Sequence, residues 1–104
     1  MNKVLIYVTT ETTEDAERIG SAVVEARLAA CANILPEMTS IYCWQGDIKR
    51  ASESVLILKT SEDRTDAVIA RIKALHTYEC PCVVAIPITG GNPDFLNWIE
   101  TETA

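Results

Sequence analysis

The chain has 104 residues, of which 48% are apolar and 23% charged, ordinary values for one globular domain able to bury a core without covalent staples. Its net charge is −6, and its nine lysines and arginines are scattered, which excludes the basic face of a nucleic-acid binder. No apolar run approaches the ~20 residues of a membrane span, and the short run Val4-Leu5-Ile6-Tyr7-Val8 behind Lys3 makes a poor secretory signal.

Residues 3–9 are apolar and β-branched, which predicts a central strand buried on both faces. Thr12 or Thr13 then offers a helix N-cap, with Glu14, Asp15 and Glu17 where the helix dipole favours negative charge. Ala16, Ile19, Gly20, Val23, Ala26 and Ala30 recur at spacings of three and four, so they form one stripe of small residues that lets the helix lie close to a sheet. Arg18 and Glu25 fall on the solvated side.

Residues 29–46, AACANILPEMTSIYCWQG, read as one long extended element interrupted at Pro36. Proline is tolerated in a strand only at an edge or a bulge, so this is a kinked edge strand. An edge of that length carrying aromatics invites pairing with another chain. Gln45-Gly46-Asp47 is expected to turn the chain, residues 47–50 to bring it back, and residues 51–60 to form the hairpin partner, apolar on both faces at Val55-Leu56-Ile57-Leu58.

Thr60 or Ser61 is the expected cap of a second helix whose stripe is Ala67 or Val68, Ile72 and Leu75. Arg71, Lys73 and His76 gather at its C-terminal end, and Pro81 forbids its continuation. Residues Val83–Ile88 predict a fourth strand, ending at Gly90-Gly91. Asn92 as N-cap and Pro93 at the first helical position open a last helix that holds Phe95, Leu96, Trp98 and Ile99.

The order β-α-β-β-α-β plus a C-terminal helix, over one domain of residues 1–104, predicts an α+β ferredoxin-like sandwich. Two crossover helices cover one face of such a sheet. The other face is expected to be covered by copies of the chain.

Five ordered motifs, RLAACANILP, SIYCWQGDI, LILKT, HTYECP and FLNWI, give the chain a resemblance to the CutA divalent-cation-tolerance proteins that covers essentially its whole length. The resemblance implies a tight homotrimer, related in architecture to the PII signalling proteins, and a cytosolic protein tied to copper and other divalent cations. It also implies that Trp44, Glu53, Lys59, His76, Tyr78 and Glu79 contribute to a cleft between subunits. The chain departs from the family's common HPYE-x-PE stretch at Thr77 and Cys82. Of three copper-linked positions in some members, those matching Val8 and Leu75 carry no ligand here, and only His76 is kept.

His76, Cys80 and Cys82 are the densest set of soft ligands. In an extended chain both thiols point the same way, and two thiolates beside an imidazole suit copper(I) or zinc. The plainer reading makes Cys80 and Cys82 small core residues and His76 the close of a helix. Cys31 and Cys43, twelve apart, share a face unless a bulge at Pro36 intervenes, and core packing is their default role.

Lys59 against Glu79 or Glu53 fits either a site for a small anionic or zwitterionic molecule or an interfacial ion pair, with Trp44 and Trp98 as packing anchors. No phosphate-cradling glycine loop, His-Glu-x-x-His or nucleophile elbow occurs, so an enzyme is not expected and no cofactor is required. The four cysteines are expected to be free thiols in the cytoplasm. Two readings follow: a metal-binding protein of metal-ion tolerance, and a signalling module that binds a small molecule or partner protein.

Overall fold

The computed structural model describes residues 2–104. β1 (Lys3–Thr10) is followed by α1 (Thr13–Glu25), then by the hairpin of β2 (Cys31–Trp44) and β3 (Asp47–Ser61). A single 3₁₀ turn (Glu62–Arg64) leads into α2 (Thr65–Leu75), then β4 (Val83–Ile88) and α3 (Pro93–Glu102). The strands form one sheet in the order β2-β3-β1-β4, antiparallel throughout. That is the ferredoxin-like α+β arrangement with an added C-terminal helix.

The sheet register assigns side chains to faces, because directly opposed residues in an antiparallel pair project together. Val4, Ile6 and Val8 of β1 oppose Thr60, Leu58 and Leu56 of β3, and all are buried with Ile19, Val23, Val68 and Ile72 of α1 and α2. Gly20 is what allows α1 so near. A Cβ there would stand 3.1 Å from both Ala32 Cβ and Leu56 Cδ1. The opposite face carries Leu5, Tyr7 and Thr9, only half-buried, so β1 is not enclosed on both faces as its composition predicts.

That second face is not wholly bare. Lys3, Lys59 and Ser61 lie on it, and α3 covers them. Lys3 Nζ stands 3.5 Å from Glu100 Oε1, the Ser61 and Thr103 hydroxyls are 3.0 Å apart, and Lys59 Nζ lies 5.7 Å from the centre of the Phe95 ring. Ile99 is fully buried beneath the helix, and Asn92 caps it by accepting from the Asp94 amide.

Several boundaries differ from expectation. α1 stops at Glu25, so Ala26 is exposed and Ala30 lies beyond the helix; Arg27, at φ 59°, takes the left-handed turn that ends it. The hairpin reverses at Gln45-Gly46, both with positive φ as a two-residue primed turn requires, so residues 47–50 belong to β3 and do not form the turn. Neither Thr60 nor Ser61 caps α2. The Thr60 hydroxyl donates to the Leu28 carbonyl, Ser61 bonds Thr103, and α2 starts from the 3₁₀ turn without a side-chain cap. Of the alternatives Ala67 and Val68, Val68 is the buried one.

β2 is the long edge strand, and it is irregular where Pro36 stands. Leu35 opposes Val55 but Met38 opposes Glu53, so β2 carries one extra residue at this point, with Glu37 at φ 59°. The bulge reverses the alternation of everything beyond it. Cys31 projects with Lys59, whereas Cys43 projects to the other side, away from Tyr42 and Trp44.

Candidate functional site

The ends of β1, β2 and β3 furthest from α3, together with the connection from α2 to β4, enclose a groove of about 820 Å³. β1 contributes Tyr7 and Thr9 and leads into Glu11. The bulged arm of β2 contributes Met38, Ser40, Tyr42 and Trp44, which alternate along the strand, and β3 adds Ala51 and Glu53 opposite them. The connecting segment closes one side with Tyr78, Glu79, Cys80 and Cys82.

His76 fixes this segment. As α2 ends, the His76 amide still bonds the Ile72 carbonyl, and the residue then turns extended at ψ 147°, well before Pro81. Its Nδ1 accepts from the Tyr78 amide at 3.0 Å, so Nε2 carries the proton and donates to the Thr9 carbonyl at 2.7 Å. The ring thus ties the connection to the end of β1, and the Tyr78 ring lies with its centre 4.7 Å away. Tyr78 in turn donates its phenol to Glu53 Oε2 at 2.6 Å. Burial, and then the hydrogen bond and charge of Glu53, push the phenol well above its ordinary value, with Glu11 and Tyr42 adding to the effect.

These positions revise the expected ligand set. Among the described residues no group of three or more His, Cys, Asp or Glu side chains is placed to hold a metal ion. His76 is not brought together with Cys80 and Cys82 as a donor, because both its ring nitrogens are engaged by the backbone. The two thiols are exposed on the groove and not packed in the core, and all four cysteines are free. What one chain offers a soft metal here is a pair of sulfur donors, an incomplete set.

Trp44, Glu53, Tyr78 and Glu79 line this groove of one chain, and Lys59 and His76 do not. Lys59 lies at the α3 end of the sheet, where its ammonium donates to Asn33 Oδ1 at 2.7 Å. Within one chain, Lys59 therefore does not pair with Glu53 or Glu79. Trp98 lies beside Phe95 at the same distant end, ring centres 5.5 Å apart.

Tyr7, Glu11, Met38 and Tyr42 are groove residues that the sequence reading passed over. The signal for Tyr42 was its alternation with Trp44, and that for Glu11 was its place just past the first strand. Tyr7 and Met38 meet only across the intervening β3, the phenol 3.7 Å from the thioether sulfur.

Comparison with known proteins agrees with this architecture. Residues 4–102 match the family of the CutA1 divalent ion tolerance protein. The divalent-cation tolerance protein CutA of Thermus thermophilus is 42% identical over 99 residues, which are 95% of this chain and 96% of that one. A chloroplastic CutA 1 protein of Oryza sativa is 39% identical over 96% of this chain, which spans only 56% of its length. The crystal structure of CutA1 from Oryza sativa superposes with a TM-score of 0.97 at 38% identity, covering all of this chain and 95% of the other. The family is defined by tolerance of divalent ions and is not known as an enzyme family. On its sequence and its fold alike, the chain belongs to the CutA1 divalent ion tolerance protein family.

Proposed function

We propose that the protein acts without catalysis in metal-ion tolerance or response, as a homotrimer in the cytoplasm that binds copper-type ions through Cys80 and Cys82. The observation that carries the metal reading is the exposed pair of free thiols on a groove that also holds Glu11, Glu53 and Glu79. Two thiolates meet the preference of copper(I) for soft donors.

The assembly reading is supported by the apolar surface left outside the core. Leu35, Tyr42, Trp44, Val84 and Ile86 share the face opposite α1 and α2 by register, and each is more than 40% exposed. The far side of the hairpin arm adds Ile41 and Ile48 at 62% and 75%. Contiguous apolar surface of this kind marks an interface. The free thiols suit a reducing compartment.

The test is anaerobic titration with copper(I) against a competing chelator, for the wild type and for Cys80→Ser/Cys82→Ser. At least a hundredfold loss of affinity in the variant is expected. Equal affinity would remove the thiol site. Sedimentation at micromolar concentration should give three times the chain mass, and a monomer there would remove the assembly.

A further inference from the structure

We propose that His76 is an acid-operated catch on the connection between α2 and β4, holding it while the imidazole is neutral and releasing it when Nδ1 takes up a proton. The observation that carries this is how little else holds the segment. Among the described residues, 77–82 are held by two hydrogen bonds, and both run through Tyr78. Its amide donates to His76 Nδ1 at 3.0 Å, and its phenol donates to Glu53 Oε2 at 2.6 Å. No main-chain bond adds to them before β4 begins at Val83.

Acid acts on one of the two. Nδ1 accepts from the Tyr78 amide through its lone pair, and a proton there sets a donor against a donor. The Nε2–H bond to the Thr9 carbonyl, at 2.7 Å, survives in both forms of the ring. The ring therefore stays on the end of β1 while the connection comes away from it. Only the Tyr78 phenol then tethers residues 77–82.

The chain has one histidine, so one side chain carries the response. The groups about it are Glu11 beyond β1, Tyr42 on β2, Glu53 on β3, Arg71 and Lys73 on α2, and Tyr78, Glu79, Cys80 and Cys82 in the connection. Carboxylates, phenols, thiols, guanidinium and ammonium groups ordinarily titrate outside the interval from about pH 5 to about pH 8, in which imidazole changes charge. The catch needs only protons, so it depends neither on an open groove nor on which copies of the chain cover it. It does not rest on the thiol site either, although the freed segment carries Cys80 and Cys82.

The test is an NMR titration of the protein in its solution assembly from about pH 8 to about pH 5, reading the imidazole nitrogens and the Tyr78 amide together. At the alkaline end the ring should be the Nε2–H tautomer. As it charges, the amide resonances of Tyr78, Glu79 and Cys80 should move with the same midpoint. The opening equilibrium at the Tyr78 amide, corrected for the intrinsic exchange rate, should rise about tenfold, while Ile6 and Val68 in the core do not follow. His76→Asn supplies the control. An asparagine carbonyl accepts from the amide two residues on, as Nδ1 does here, but gains no proton in this range. Its Tyr78 amide should stay protected throughout, and that of His76→Ala should be open throughout.

A ring that titrates while the Tyr78 amide stands still would overturn the proposal. So would a ring that stays neutral down to about pH 5, an Nδ1–H tautomer at the alkaline end, or an equal acid response in His76→Asn. Should either variant fail to fold, the wild type alone decides, because its single imidazole needs no variant to be assigned.

Discussion

The Tyr78 phenol donates to Glu53 Oε2 at 2.6 Å, and so joins the connection after α2 to the middle of β3. Its proton is held tightly because burial and the neighbouring carboxylate both disfavour a phenolate. The ordinary phenol value is 10.0, and Tyr78 sits above it. Below pH 10 the phenol is neutral in folded and unfolded chains alike, and its contribution to stability is fully present. As pH rises past 10 the unfolded chain ionises first, so stability falls. Ultraviolet titration should show one of the three tyrosines resisting ionisation, and Tyr78→Phe should abolish that resistant phase and cost about 1 kcal/mol. Three tyrosines titrating together would contradict this.

His76 makes two hydrogen bonds that no other single side chain replaces. His76→Ala should destabilise the fold by about 1–3 kcal/mol in chemical denaturation, because the Tyr78 amide and the Thr9 carbonyl lose their partner. Hydrogen exchange at the Tyr78 amide should accelerate strongly. Copper(I) affinity should change little, since the ring is not available as a ligand; a loss as large as that of the double cysteine variant would restore His76 to the donor set.

Gly20→Ala is the sharpest test of helix placement. Alanine favours an exposed helix over glycine by about 1 kcal/mol, yet here its methyl would meet Ala32 Cβ at 3.1 Å. Ala32 has no rotamer by which to yield, so overpacking of about 1–3 kcal/mol outweighs the gain. We expect a lower midpoint in urea, partly recovered by adding Ala32→Gly. A stabilised single variant would mean that α1 sits further off.

The Ser61 and Thr103 hydroxyls are both buried and 3.0 Å apart, and Thr103 also donates to the Ile99 carbonyl at 2.8 Å. Thr103→Val should cost about 1–2 kcal/mol because it strands the Ser61 hydroxyl. Adding Ser61→Ala should recover much of that, which a double-mutant cycle will measure as a coupling. Strict additivity would show that the two hydroxyls do not depend on each other.

Much of this molecule is readable from local chemistry. Asn92-Pro93 opens α3 as written, Thr12 caps α1 by accepting from the Asp15 amide, and Val83–Ile88 is β4 without adjustment. The errors have local causes too. Small apolar residues kept the helical period going past Glu25, and nothing in composition marks the left-handed Arg27 that ends it. The lysine was misplaced for a different reason. Lys59 is close to Glu53 in sequence, but six residues along a strand is roughly 20 Å, and a fully extended β3 keeps them that far apart. No spacing rule announces that an imidazole will spend both nitrogens on backbone groups.

The extra residue at Pro36-Glu37 works as a parity bit for the whole arm. Remove one position there, and every side chain from Met38 to Trp44 would rotate half a turn about the strand. Cys43 would then face the groove, and its two arm aromatics would face outward with Ile48. One codon therefore decides whether the arm turns Tyr42 and Trp44 or Cys43 toward Tyr7 and Tyr78.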